Sequence, residues 1–137
     1  MFRIIRTKNV AVVRALHALT FPLDEWVGDD RTFWLVRKDG LNVGFAAAMY
    51  QPGTNLVSLD RAGVLPYVEG SGLQRRLIRA RLRWARKLGA RAAITYISQR
   101  NYQSMVNLLK CGFRFYAPEQ TGKYEREGTF HFLRHNF

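Results

Sequence analysis

Two short stretches carry residues suited to group-transfer chemistry. The first is Gly70-Ser71-Gly72, set between a β-type run and a long helical run that opens with Leu73, Gln74, Arg75 and Arg76. The first amides of a helix lack intrahelical partners and sit at the positive end of its dipole, so such a turn suits an anion. Glycine lets the backbone approach a phosphate closely. The second stretch is Ser58-Leu59-Asp60. Two residues apart on a strand, Ser58 and Asp60 share a face, and strict alternation adds Val64 to it. A carboxylate there can take a proton from an amine, whose ordinary pKa near 10.4 leaves roughly one molecule in a few thousand neutral at pH 7. The structural alternatives are plain. Ser71 and Gln74 have capping-box spacing, and Asp60 suits a strand-edge ion pair with an arginine.

The periodicities that must position these residues are readable. Strands are expected over 2–6, over 32–50 as a hairpin turning at Asp39-Gly40, and over 56–65, 91–98, 113–118 and 128–137. Helices are expected over 9–19 with Asn9 as N-cap, briefly over 21–26, up to about residue 88 after the glycine turn, and over 101–111 with Asn101 as N-cap. In the third helix, Leu73, Leu77, Ala80, Trp84 and Leu88 form an apolar stripe, and Arg76, Arg79, Arg83 and Arg86 form another face. Seven basic residues fall between 75 and 87. The order is that of an α/β domain with helices covering a sheet, and the unit from 56 to 98 is a right-handed parallel crossover.

Two familiar phosphate motifs are excluded. No Gly-Lys-Ser/Thr ends the turn, and position 75, where a dinucleotide fingerprint needs its third glycine, is Arg75. The stretch Val64-Leu65-Pro66, followed by Gly70, Gly72 and Leu73, instead resembles the acetyl-CoA motif of the GNAT superfamily of N-acetyltransferases. Asn101, Ser104, Lys110 and Gly112-Phe113 match that family's downstream helix and closing Gly-Phe, so the resemblance spans essentially the whole chain. Glu69, Gln74 and Leu108 depart from the pattern, standing where arginine or glutamine, a second small residue, and often tyrosine are usual.

The resemblance implies a GNAT fold over residues 1–137 as a single domain: a mixed, mostly antiparallel sheet of about seven strands flanked by about four helices. It implies acetyl-CoA as cosubstrate, with Val64, Leu65, Glu69, Gly70, Ser71, Gly72, Leu73, Gln74, Arg75, Asn101 and Ser104 around it. The reaction would be direct attack of a primary amine on the thioester, with Asp60 and Ser58 as catalytic candidates and a backbone amide near Val64 for the oxyanion. A tyrosine to protonate the leaving thiolate is absent at Leu108; Tyr102 and Tyr116 are the substitutes in view. The acceptor would approach Asp24, Glu25, Trp26 and Trp34, because carboxylates and aromatic faces suit an ammonium group. Asp24, Glu25, Asp29 and Asp30 are four of the ten acids of the chain; acids at helix starts and turns are the simpler reading.

The formal net charge is +12. Such a balance points to anionic partners, or to an Arg-rich solvated face. The alternative function is therefore a basic nucleic-acid-binding module on the same fold; the resemblance to the GNAT superfamily adds, as a hybrid, an enzyme that acetylates aminoacyl-tRNA. An amine-bearing small molecule or peptide is the expected acceptor, and a homodimer is compatible with the resemblance. One cysteine, Cys111, excludes an intrachain disulfide and reads as structural. His17, His131 and His135 lack ligand spacing, so no metal is expected. With no signal-peptide pattern and no apolar run long enough to span a bilayer, a cytoplasmic location is expected.

Overall fold

In the computed structural model, residues 1–118 and 130–137 are described. The elements run β1 (Phe2–Thr7), α1 (Val10–Thr20), β2 (Thr32–Lys38), β3 (Leu41–Gln51), β4 (Leu56–Val64), a 3-10 turn (Pro66–Val68), α2 (Leu73–Lys87), β5 (Ala92–Ser98), α3 (Tyr102–Lys110), β6 (Arg114–Phe115) and β7 (Phe130–Asn136). The strands form one sheet in the order β1-β2-β3-β4-β5-β7-β6. Only β4 and β5 run parallel; every other neighbour is antiparallel. The expected α/β sheet with a parallel crossover through α2 is the one formed.

Local chemistry accounts for the element ends. The Asn9 side chain accepts from the Val12 amide at 3.3 Å and starts α1. Asp39 and Gly40 take φ of 53° and 80°, as a tight hairpin turn needs, and join β2 to β3. Gly89 stops α2 at φ 80°.

The short helix expected over 21–26 does not form. The Phe21 amide closes α1 on the His17 carbonyl, and the Asp24 amide makes a single turn back to Phe21. A segment of six residues rarely nucleates a helix alone, because a first turn fixes several dihedrals for one hydrogen bond. Tertiary contacts hold the segment irregular instead: Trp26 stacks on Phe33, and Arg61 grips the Glu25 carbonyl. Three α-helices therefore flank the sheet among the described residues.

The sheet is covered on both faces. Val13, Leu16, Phe33, Leu35, Phe45 and Ala47 form the core beneath α1. Trp34, Val36, Val57, Leu59, Leu73 and Leu77 belong to the larger core beneath α2 and α3. Alternation along β2 thus sends Phe33 and Leu35 one way, Trp34 and Val36 the other. The expected strand over 128–137 is described only from Phe130. The polar connection before it lies outside the described residues.

Candidate active site

The site begins where two parallel strands part. β4 and β5 pair only at Leu56–Ala92, Val57–Ala93 and Ser58–Ile94. Beyond that, β4 continues beside β3 alone, to Val64 opposite Gly44. The Leu65 amide donates to the Val43 carbonyl at 2.8 Å. Val64 and Gly44 are therefore a non-hydrogen-bonded pair, and both backbone polar groups of Val64 point to the edge that β5 has left. By the same alternation, those of Ala62 point there too.

A cleft of about 410 Å³ fills this opening, and Ala62, Gly63 and Val64 line it. Gly63 keeps it open: a Cβ there would lie 2.9 Å from the Phe21 ring and 3.0 Å from the Thr20 hydroxyl, both on the wall.

At the other end of the cleft stands the start of α2. Gly72 is its N-cap in a left-handed conformation, φ 74°, and no side chain caps the helix. The expected Ser71–Gln74 capping box is therefore not made. With Gly72 at the cap, Ser71 falls one position too early and Gln74 one too early to reciprocate. The first backbone bond into the helix is Arg76 to Gly72, so no intrahelical carbonyl meets the amides of Leu73, Gln74 and Arg75. A Cβ placed on Gly70 or Gly72 meets nothing within 4 Å. That open, donor-lined space fits a pyrophosphate.

Glu69, Gly70, Gly72, Leu73, Gln74, Arg75, Asn101 and Ser104 all line this one cleft, and so do Gln103 and Asn107, which the sequence reading did not single out. The Asn101 side chain also caps α3, accepting from the Ser104 amide at 3.2 Å. Leu65, partly buried against both cores, and Ser71, exposed, are not part of the lining. Leu108 is buried in the core beneath α2 and α3.

Asp60 lies elsewhere. Ala46 pairs with Ala62 and Ala48 with Leu59, so Ala47 alone faces both Asp60 and Arg61: β4 carries a β-bulge. The expectation that Asp60 shares a face with Val64 fails for that reason. Val64 packs beneath α2, whereas the Asp60 and Arg61 side chains reach partners on the α1 side. The Asp60 carboxylate accepts from Arg31 at 2.8 Å and from the Ser58 hydroxyl. Burial nevertheless pushes its pKa up, against the pull of Arg31 and Arg81. Neither Asp60 nor Ser58 lines the cleft.

Arg61 is fixed on three sides. It donates to His17 Nε2 at 2.9 Å and to the Glu25 carbonyl at 2.7 Å, and it lies over the Phe21 ring. Arginine has only donors, so His17 Nε2 must accept and the imidazole is neutral. Desolvation and the Arg61 charge both hold the His17 pKa down.

Among the acceptor candidates, Asp24 and Glu25 are exposed. Trp26 stacks on Phe33 and donates to Asp29 at 2.7 Å. Trp34 is a correction: it is 3% exposed and meets Trp84 edge-on beneath α2, so it offers no face to an acceptor. Tyr102 and Tyr116 do not line the cleft. Cys111 rests 3.9 Å from the Arg75 carbonyl, and burial raises its pKa, which disfavours the thiolate.

The sequence model of the acetyltransferase (GNAT) family matches residues 6–113. No curated protein matches the chain. Among solved structures, the IAA acetyltransferase of Bacillus cereus ATCC 14579 superposes with a TM-score of 0.82 at 14% identity, covering 100% of both chains. The ribosomal-protein-S18-alanine N-acetyltransferase of Escherichia coli gives 0.77 at 14% identity over 99% of this chain and 94% of that one. A Bacillus subtilis acetyltransferase in complex with CoA gives 0.78 at 16% identity over 100% and 99%.

Proposed function

The chain belongs to the acetyltransferase (GNAT) family, and from that premise we propose that it is an acetyl-CoA-dependent N-acetyltransferase acting on a primary amine. The observation that carries this reading is that one cleft joins the outward backbone groups of Val64 to the uncapped helix start at Gly72. The amides of Leu73, Gln74 and Arg75, with the Arg75 side chain, would hold the pyrophosphate despite Glu69 nearby. An extended amide-bearing arm of the cosubstrate could add to the open edge of β4 at Ala62 and Val64.

The thioester carbonyl would then accept from the Val64 amide, a donor fixed before the reaction begins. The acceptor amine attacks the carbonyl carbon: a C–N bond forms, the C–S bond breaks, and CoA departs as thiolate. Asp60, hydrogen-bonded by Ser58 and set outside the cleft, takes the proton that the amine loses through an intervening water rather than by direct contact. Its raised pKa makes it a better base than an ordinary aspartate. With Leu108 in the core, no side-chain acid is assigned to the leaving group. A thiol with a pKa near 8.5 leaves tolerably without one and takes its proton from water. Asp24, Glu25 and Trp26 lie on the α1 side with Asp60 and would attract a cationic small molecule or peptide amine.

Thiol release from acetyl-CoA across a panel of amines tests this reading, with Val64→Pro as the probe. That change removes one amide hydrogen without removing a β3–β4 ladder bond. Turnover is expected to fall by about 10²–10³ while CoA binding persists. Full turnover in Val64→Pro, or no amine-dependent thiol release by the wild type, would overturn it.

A further inference from the structure

Charge is distributed unevenly along this protein. Residues 70–118 contain eleven lysines and arginines and no acid. That stretch builds α2, β5 and α3. The acids Asp24, Glu25, Asp29 and Asp30 lie in the segment that follows α1 and packs on the α1 side. The ion pairs among the described residues are Arg31 with Asp30 and Arg31 with Asp60, so α2 takes part in none.

Helix α2 turns its cations outward in a single row. Arg76, Arg79, Arg83 and Arg86 are all exposed. At 3.6 residues per turn, they fall within an arc of about 80° and a length of about 15 Å. The two ends of the row are tied down. Arg76 donates to the Phe2 carbonyl at 3.3 Å, and Arg86 lies over the Phe137 ring at 5.4 Å. Lys38 sits over the Phe2 ring at 5.1 Å and extends the row toward β1. Arg81, in the same sequence run, is buried and takes no part.

We infer that this face of α2 docks on the phosphate backbone of a nucleic acid duplex. Four cations over about 15 Å match about four phosphates of one strand at 3.4 Å of axis each. A single strand is disfavoured because such sites need exposed aromatic platforms. The one aromatic residue of α2, Trp84, meets Trp34 edge-on instead. The contact is to phosphates alone, so it reads no sequence. It is independent of the acetyl-transfer reading, since none of the four arginines lines the cleft.

Fluorescence anisotropy with a short labelled DNA duplex, titrated over a salt series and repeated with an RNA duplex, tests the inference. Four phosphate contacts predict a log–log slope near −3.6, about a hundredfold loss of affinity between 50 and 200 mM salt. Arg79→Glu with Arg83→Glu should weaken binding at least tenfold and flatten the slope by about two. Lys8→Glu with Arg14→Glu makes the same change in net charge at and before α1, across the sheet from the row. It should cost no more than about threefold, because screened charges act over roughly 8–10 Å. Circular dichroism checks the fold, and the milder Arg79→Gln with Arg83→Gln serves if the first pair disturbs the helix. A DNA duplex should bind within about tenfold of the RNA duplex, as phosphate contacts require. Equal losses in the two charge-matched pairs, or tighter binding of the single strand than of the duplex, would overturn the inference.

Discussion

Arg81 of α2 donates to the carbonyl oxygen of Asp60, 2.9 Å away in β4. The same guanidinium reaches the Ala47 carbonyl at 3.2 Å in β3 and the Leu77 carbonyl at 3.2 Å in its own helix. A β-bulge disrupts its ladder locally and leaves backbone groups unpaired. Here a buried arginine supplies the missing donors. Burial pulls its pKa down to about 10, still cationic at neutral pH. Arg81 thus fixes the bulge that separates the Asp60 side chain from the Val64 edge.

Arg81→Ala should therefore destabilise the fold by about 2–5 kcal/mol, since the two strand carbonyls, of Ala47 and Asp60, lose their charged donor. Arg81→Lys should recover only part of that, because an ammonium lacks the planar fork that spans both oxygens. Denaturant unfolding checks this. A loss below about 1 kcal/mol for the alanine variant would mean that the carbonyls find other partners.

His17 gives the fold a dependence on pH. Its folded pKa lies below the unfolded value of 6.5, so the unfolded chain binds more protons in between. Stability contributed by neutral His17 is thus present above pH 6.5 and is lost as pH falls through the folded value. Protonation also removes the acceptor for Arg61. The melting temperature of the wild type should drop between pH 7 and pH 5, and His17→Gln should flatten that drop. Parallel curves for the two proteins would exclude His17 as the source.

Asp60→Asn separates chemistry from stability. A carboxyl whose folded pKa is raised makes the folded state hold the extra proton above the ordinary aspartate value of 3.8, so ionised Asp60 costs stability at neutral pH. The asparagine should melt no lower than the wild type at pH 7. Its turnover should nevertheless fall by about 10²-fold or more, as loss of a general base does. A large drop in melting temperature with turnover intact would assign Asp60 to the Arg31 ion pair and nothing else.

Gly63→Val should narrow the cleft. Phe21 and Thr20 stand within 3.0 Å of where a Cβ would go, so a branched side chain must displace them. Bulky amines should lose turnover more than small ones, measured as kcat/KM across the panel. A uniform loss would point to a distorted β4 instead.

The sequence made some of this plain for physical reasons. Asp39-Gly40 marks a hairpin because few other dipeptides tolerate two positive φ angles. The stripe from Leu73 to Trp84 marks α2, and the glycine turn stands where it was expected. Arg81 was within reach: it lies four residues beyond Leu77, on the buried stripe, but its type hid it among six other cations. The bulge was not legible, because nothing in Leu59-Asp60-Arg61-Ala62 distinguishes a regular strand from one with an extra residue. That one residue reversed the facing of Asp60 relative to Val64. Trp26 and Trp34 looked alike beside Phe33. β2 is buried on both faces, and in such a strand hydrophobic pattern does not identify the side on which each residue falls.

Isothermal titration of the protein with CoA, beside Gly72→Glu, tests the central claim most directly. A carboxylate at the N-cap would stand in the space left open above the Leu73–Arg75 amides and repel a pyrophosphate. One-to-one binding by the wild type is expected, and its loss in the variant, with the helical signal unchanged. Binding of equal strength in both proteins, or none in either, would contradict it.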